Sequence, residues 1–197
     1  MLKIRKFYLF LIMMCVATST FAGTTKESSS EELECPDQAI QNMDNQFGIG
    51  TSERTKCIQK RTRLKSVIAW NLASVNKRSG LAQQAQVTRN SVNNWEGIYN
   101  MQINKDFEMV AIAYAGGGRW LLTDEAYNRT YNVTTGNPTS DLTSSLIARG
   151  VTVYMCQNTM RGNSWVTSDL LPGVQMVPSG AVGLIDHINT GYKYINP

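Results

Sequence analysis

Cys156 lies in Val-Thr-Val-Tyr-Met-Cys-Gln-Asn-Thr-Met-Arg-Gly, a setting suited to a reactive thiol. The run Val151–Met155 alternates β-branched or aromatic residues, follows Gly150 and gives way at once to polar residues. This pattern predicts a strand that delivers a thiol to the lip of a loop or the start of a helix. A thiol there can be exposed, and a helix N-terminus favours the thiolate, which is the nucleophilic form. Backbone N–H groups after it, at Gln157 and Asn158, could stabilise the anion, and Arg161 could add charge. The competing role is a small apolar residue closing a buried strand.

Other chemistry-bearing residues are less specific. Gly116-Gly117-Gly118 follows an apolar run, where phosphate loops occur, but it lacks both G-x-G-x-x-G spacing and a following Gly-Lys-Ser/Thr. Gly117 and Arg119 could meet an anion at a sheet edge; a sharp strand-exit turn is the simpler role. His187, the one histidine, stands beside Asp186 far along the chain from Cys156. It could complete a Cys-His pair only through folding, and a helix-surface histidine is the simpler reading. One histidine and cysteines without C-x-x-C spacing give no metal set, and no cofactor is implied. Ser179 lacks the G-x-S-x-G elbow of a hydrolase. Trp70, Trp95, Trp120 and Trp165 read as core, although Trp120 and Trp165 follow strand exits and could border a site.

The compartment bears on any thiol. Lys3, Arg5 and Lys6 precede the apolar stretch Phe7–Val16, and Thr20-Phe21-Ala22 supplies a small-x-small cleavage site. Residues 1–22 are therefore expected to be a signal peptide, and the stretch is too short to span a bilayer. Bulky Met14 before Cys15 argues against a lipoprotein, so a periplasmic or secreted protein with no stable membrane anchor is expected. Cleavage near Ala22 removes three basic residues and lowers the net charge from +4 to about +1. No basic excess then remains to suggest a nucleic-acid partner. Cys35, Cys57 and Cys156 would remain, an odd number in an oxidising compartment, which suggests one disulfide and one free or intermolecular thiol. Cys35–Cys57 is the favoured pair. Pairing either with Cys156 stays open, since sequence does not fix connectivity.

The elements that would position Cys156 can be read in order. Residues 23–60 form an N-terminal extension: a polar stretch expected to be disordered, a short helix around Asp37–Phe47, the two cysteines and the start of a basic run from Arg54 to Lys65. Residues 61–197 read as one α/β domain. Strands are predicted at Leu64–Leu72, Phe107–Tyr114, Val151–Met155, Val174–Val177 and Tyr192–Ile195. Helices are predicted at Ala82–Tyr99, Ser140–Arg149 and Ser179–Asn189, with a short helix or loop through Arg161 and a loop with a short helical piece over Asp124–Val133. Strands alternating with helices imply a mostly parallel sheet covered on both faces.

The segments Gly150–Gly162, Asp169–Val174 and Ala181–Ile195 together resemble the DsrE/DsrF-like family, and its exported branch in particular. The strand at Phe107–Tyr114 and its glycine turn fit the same pattern. The resemblance implies a mainly parallel five-stranded sheet between helices, with assembly as a homotrimer or homohexamer. It also implies a persulfide carried on the cysteine after the strand, a position that Cys156 matches. The function expected on that basis is an exported sulfur carrier or sulfurtransferase-like protein, with a sulfane-sulfur donor and acceptor of unknown identity as partners. The leader and the cysteine-bearing extension depart from a cytoplasmic relay subunit. The alternative is a non-catalytic oligomeric module binding a small ligand or protein, in which Cys156 is structural or redox-sensing.

Overall fold

Apolar runs too long for one-sided burial make the centre of the fold. Strand β1 (Leu64–Trp70) has Val67, Ile68, Ala69 and Trp70 all buried, and strand β2 (Phe107–Ala113) is buried from Met109 onward. Consecutive buried residues on a strand mean that both faces are covered. The structure, a computed structural model, describes residues 63–97 and 99–197. The expected leader, the 23–60 extension with Cys35 and Cys57, residues 61 and 62, and Ile98 lie outside the described residues.

After β1, helix α1 (Gln83–Gly97) buries Gln84, Ala85, Thr88 and Val92. Beyond β2 the chain winds into a 3-10 helix, Ala115–Leu121, and then helices α2 (Asp124–Tyr131) and α3 (Ser140–Ala148). Strand β3 (Thr152–Cys156) runs directly into helix α4 (Gln157–Gly162). A second 3-10 turn, Thr167–Asp169, precedes strand β4 (Gln175–Val177). Helix α5 (Gly180–Asn189) and strand β5 (Lys193–Ile195) end the chain.

The five strands are parallel and ordered β4-β3-β2-β1-β5. The register sets Ile68 beside Ala111 and Ala111 beside Val153. This order fixes the layers. Parallel crossovers are right-handed, so steps β1 to β2, β2 to β3 and β3 to β4, all in one direction, put their helices on one face. The return from β4 to β5 reverses direction and sends α5 to the other. The cores agree. Ile68, Trp70, Met109, Val153 and Met155 pack with Ala85, Ala126, Leu146 and Met160 on the first face. Val67, Val110 and Ile112 pack with Leu184 of α5 on the second. Burying each large aliphatic side chain contributes about 1.5–3 kcal/mol.

Three local expectations change. The first strand stops at Trp70, two residues early, and Leu72 is half exposed beyond it. The short helical piece expected within Asp124–Val133 takes up most of it, as the helix Asp124–Tyr131. Thr123 Oγ1 accepts from the Ala126 N–H at 3.2 Å, Asp124 and Glu125 favour the first turn, and Asn132 closes it in the left-handed conformation. The glycine triplet is part of the 3-10 helix rather than a bare turn, and a Cβ on Gly117 would lie 2.1 Å from the Trp70 carbonyl oxygen.

Candidate functional site

Cys156 is both the last residue of β3 and the N-cap of α4, in extended conformation (φ −72°, ψ 118°). Neighbouring strands β3 and β4 send their connections to opposite faces of the sheet. Ligands of open α/β sheets bind at the carboxyl ends of strands where connections part in this way. Cys156 lies at that edge, and Gly180, which opens α5 after β4, reaches the same sulfur.

The thiol is free, yet it is only 4% exposed, less than a strand-end residue was expected to be. Chain far from β3 reaches it: the Gly180 N–H at the start of α5 approaches the sulfur, and Gly180 sits so close to Tyr114 that a Cβ would fall 2.6 Å from that side chain. Burial alone pushes the Cys156 thiol up. The Thr159 hydroxyl and then the backbone N–H groups of Thr159, Gly180 and Asn158 outweigh it, and the net shift is downward. None of them forms a close, aligned capping bond with the side chain. All of them come from the first turns of α4 and α5.

The other residues expected near the site divide. Asn158 contributes its backbone N–H, while its side chain and that of Gln157 are exposed. Gln157 and Arg161 line a shallow depression of about 310 Å³ with Met160, Trp165, Val166, Thr167 and Met176. Gly117 is not at the thiol; it packs on the end of β1. Arg119 holds its guanidinium 4.4 Å from the Tyr131 ring centre and 5.7 Å from that of Trp120. His187 forms no pair with Cys156. Its Nδ1 donates to the Gly183 carbonyl at 2.7 Å, and its ring lies between Tyr154 and Tyr192. Trp70, Trp120 and Trp165 are buried, and Trp95 packs edge-on against Phe107. Among the described residues, no three His, Cys, Asp or Glu side chains gather where a metal ion could be held.

Sequence reasoning missed Thr159 and Gly180. Thr159 stands three residues after the cysteine on the first turn of a helix, a spacing that could have drawn notice. Nothing local marks Gly180, which arrives from the opposite face of the sheet.

The geometry can hold a thiolate and present it at a sheet edge. None of the curated proteins matches the chain. Among the solved structures similar to it are two. One is a protein of unknown function, MTH1491 from Methanobacterium thermoautotrophicum, with 21% identity over 67% of this chain and 99% of that one, at a TM-score of 0.49. The other is the ychN protein from E. coli, with 18% identity over 66% of this chain and 96% of that one, at 0.46. The sequence profile of the DsrE/DsrF-like family matches residues 81–197, from just before α1 through Cys156 to the C-terminus. With more than half of its length so matched, the chain belongs to the DsrE/DsrF-like family.

Proposed function

We propose that this chain is an exported sulfur carrier or sulfurtransferase-like protein that holds a persulfide on Cys156. The observation that carries the reading is a free thiol with a lowered pKa at the edge where the β3 and β4 connections part. The Cys156 thiolate attacks the sulfane sulfur of a donor. The donor's S–S bond breaks, its remaining sulfur leaves with the electron pair, and Cys156 keeps the transferred sulfur as a persulfide. An acceptor thiolate then attacks the outer sulfur and releases the Cys156 thiolate. The slight exposure of the sulfur favours a slender donor. Export rests on the leader through Ala22, and a Cys35–Cys57 disulfide would leave Cys156 the odd thiol. Assembly as a homotrimer or homohexamer draws support from the family and from Val182, Ile185 and Ile188, exposed along α5.

Burial of the thiol is the one observation favouring the alternative, a non-catalytic binding module with Cys156 structural or redox-sensing. Intact mass after incubation with thiosulfate or polysulfide separates the two. The carrier gains one sulfur atom and loses that gain in Cys156→Ser. No adduct on a thiol that still reacts with a small alkylating agent supports the binding module.

A further inference from the structure

We propose that Arg119 forms a small-oxyanion site: its guanidinium, held on an aromatic platform and neutralised by no carboxylate, takes a sulfate-sized anion. The site stands apart from the persulfide reading, since an anion can bind there whether or not Cys156 takes up sulfur.

Arg119 is half-buried in the 3-10 helix that follows β2. Its guanidinium carbon lies 4.4 Å from the Tyr131 ring centre and 5.7 Å from that of Trp120. The platform is itself packed. Tyr131 lies 4.7 Å from Tyr127, and Tyr127 stacks on Trp120 at 6.2 Å between ring centres. Trp120 is buried, and its Nε1 donates to the Leu72 carbonyl at 3.0 Å, which fixes that ring. Aromatic faces attract a guanidinium and leave its in-plane N–H groups without acceptors.

Two observations point to an anion. One is an orphaned donor. Arg119 Nε is buried with no hydrogen-bond partner, and no other buried side-chain nitrogen or oxygen among the described residues is left so. Such a group forfeits its hydration for nothing, and folded proteins keep few of them. The other is an unbalanced charge. The ion pairs among the described residues are Lys65–Glu108, Arg129–Asp169 and Arg149–Glu96, and none includes Arg119. The Tyr131 phenol beside it does not supply the counter-charge, because burial raises it more than Arg119 lowers it, so it stays neutral. Asp124, five residues on, is committed elsewhere: its Oδ1 accepts the Asn137 N–H at 2.9 Å. A guanidinium fork matches the spacing of two oxygens on one oxyanion. The place also suits the chemistry. Gly118, next to Arg119, packs where an added Cβ would lie 2.9 Å from Met155 Cε and 3.0 Å from Thr159 Cγ2. The site therefore adjoins the β3–α4 junction that carries Cys156.

In the full chain, sulfate is titrated against sodium chloride of equal ionic strength, with melting temperature and heat of binding followed. The parent is expected to show a saturable rise in melting temperature. Sulfate also stabilises any fold by exclusion from its surface, but that part does not saturate and persists in every variant. Arg119→Met keeps the stem on the rings and removes the fork; it is expected to lose the saturable part. Arg119→Lys keeps the charge without the fork and is expected to weaken binding about tenfold. No saturable binding in the parent, or undiminished binding in Arg119→Met, overturns the proposal. Should Arg119→Met fail to fold, undiminished binding in Arg119→Lys overturns it instead. Sulfur uptake by mass then identifies the source of the oxyanion. Slower uptake by Arg119→Lys from thiosulfate, with parental uptake from polysulfide, assigns the site to the oxygens of the sulfur donor. Parental uptake from both assigns it to a free oxyanion. A parent that binds sulfate and takes up no sulfur sinks the carrier and leaves the anion site.

Discussion

At the scale of residues, three glycines do three different things. Gly180 lets the start of α5 reach the sulfur past Tyr114, and Gly118 makes room for the Thr159 methyl. Gly117 does neither. It lies on the Trp70 carbonyl, whose oxygen also accepts the Tyr114 N–H at 2.9 Å. A methyl there would overlap backbone rather than a side chain able to swing away. Gly117→Ala is therefore expected to destabilise the fold by about 3 kcal/mol, read as a lowered urea midpoint. An unchanged midpoint would show that the β1 exit can give way, and would reopen a ligand role for the triplet.

At the scale of elements, α1 is clipped to β1 by a buried polar contact. Trp70 Nε1 donates to Thr88 Oγ1 at 3.0 Å, and the Thr88 hydroxyl passes its own hydrogen to the Gln84 carbonyl at 2.9 Å. Thr88→Val preserves the shape and leaves the indole N–H buried without an acceptor, a cost of about 1–3 kcal/mol. Chemical denaturation should show that loss, whereas a neutral result would mean water reaches the indole. How legible each element was depends on how much of its signal is local. β1 and β2 are buried on both faces, so their apolar runs announce them. α2 has one fully buried residue, Ala126, with Tyr127 and Tyr131 part-buried against the core, and its ends are capped by Thr123 and Asn132. Thr123 and Asp124 carry that signal, and a search for apolar periodicity passes over it. Likewise β3 and Cys156 were readable as a strand delivering a thiol. The approach of Gly180 to that thiol was not, because Gly180 lies in α5, 24 positions later.

At the scale of the whole molecule, the layers are unequal among the described residues: four helices cover one sheet face and α5 the other. On the thinly covered face, groups from β1, β2, α5 and the approach to β5 meet. Tyr192 donates its phenolic hydrogen to Glu108, Lys65 lies 3.6 Å from that carboxylate and 5.3 Å from the Tyr192 ring centre, and the His187 ring packs edge-on against Tyr192. Burial, then the Glu108 carboxylate and Tyr154, push the Tyr192 phenol up to about 12. An unfolded tyrosine titrates near 10, so between about pH 10 and pH 12 the folded state binds the extra proton. The stability this contributes is fully present below the unfolded value and is lost as pH rises through the folded one. Thermal unfolding followed across that window should show the melting temperature falling, with Tyr192 ionising late by ultraviolet absorbance. Tyr192→Phe should flatten part of the fall; the rest belongs to groups such as Tyr131, whose phenol burial also raises. A Tyr192→Phe protein whose melting temperature drops as steeply as the parent's would show that this junction does not hold β5 and α5 to the centre of the sheet.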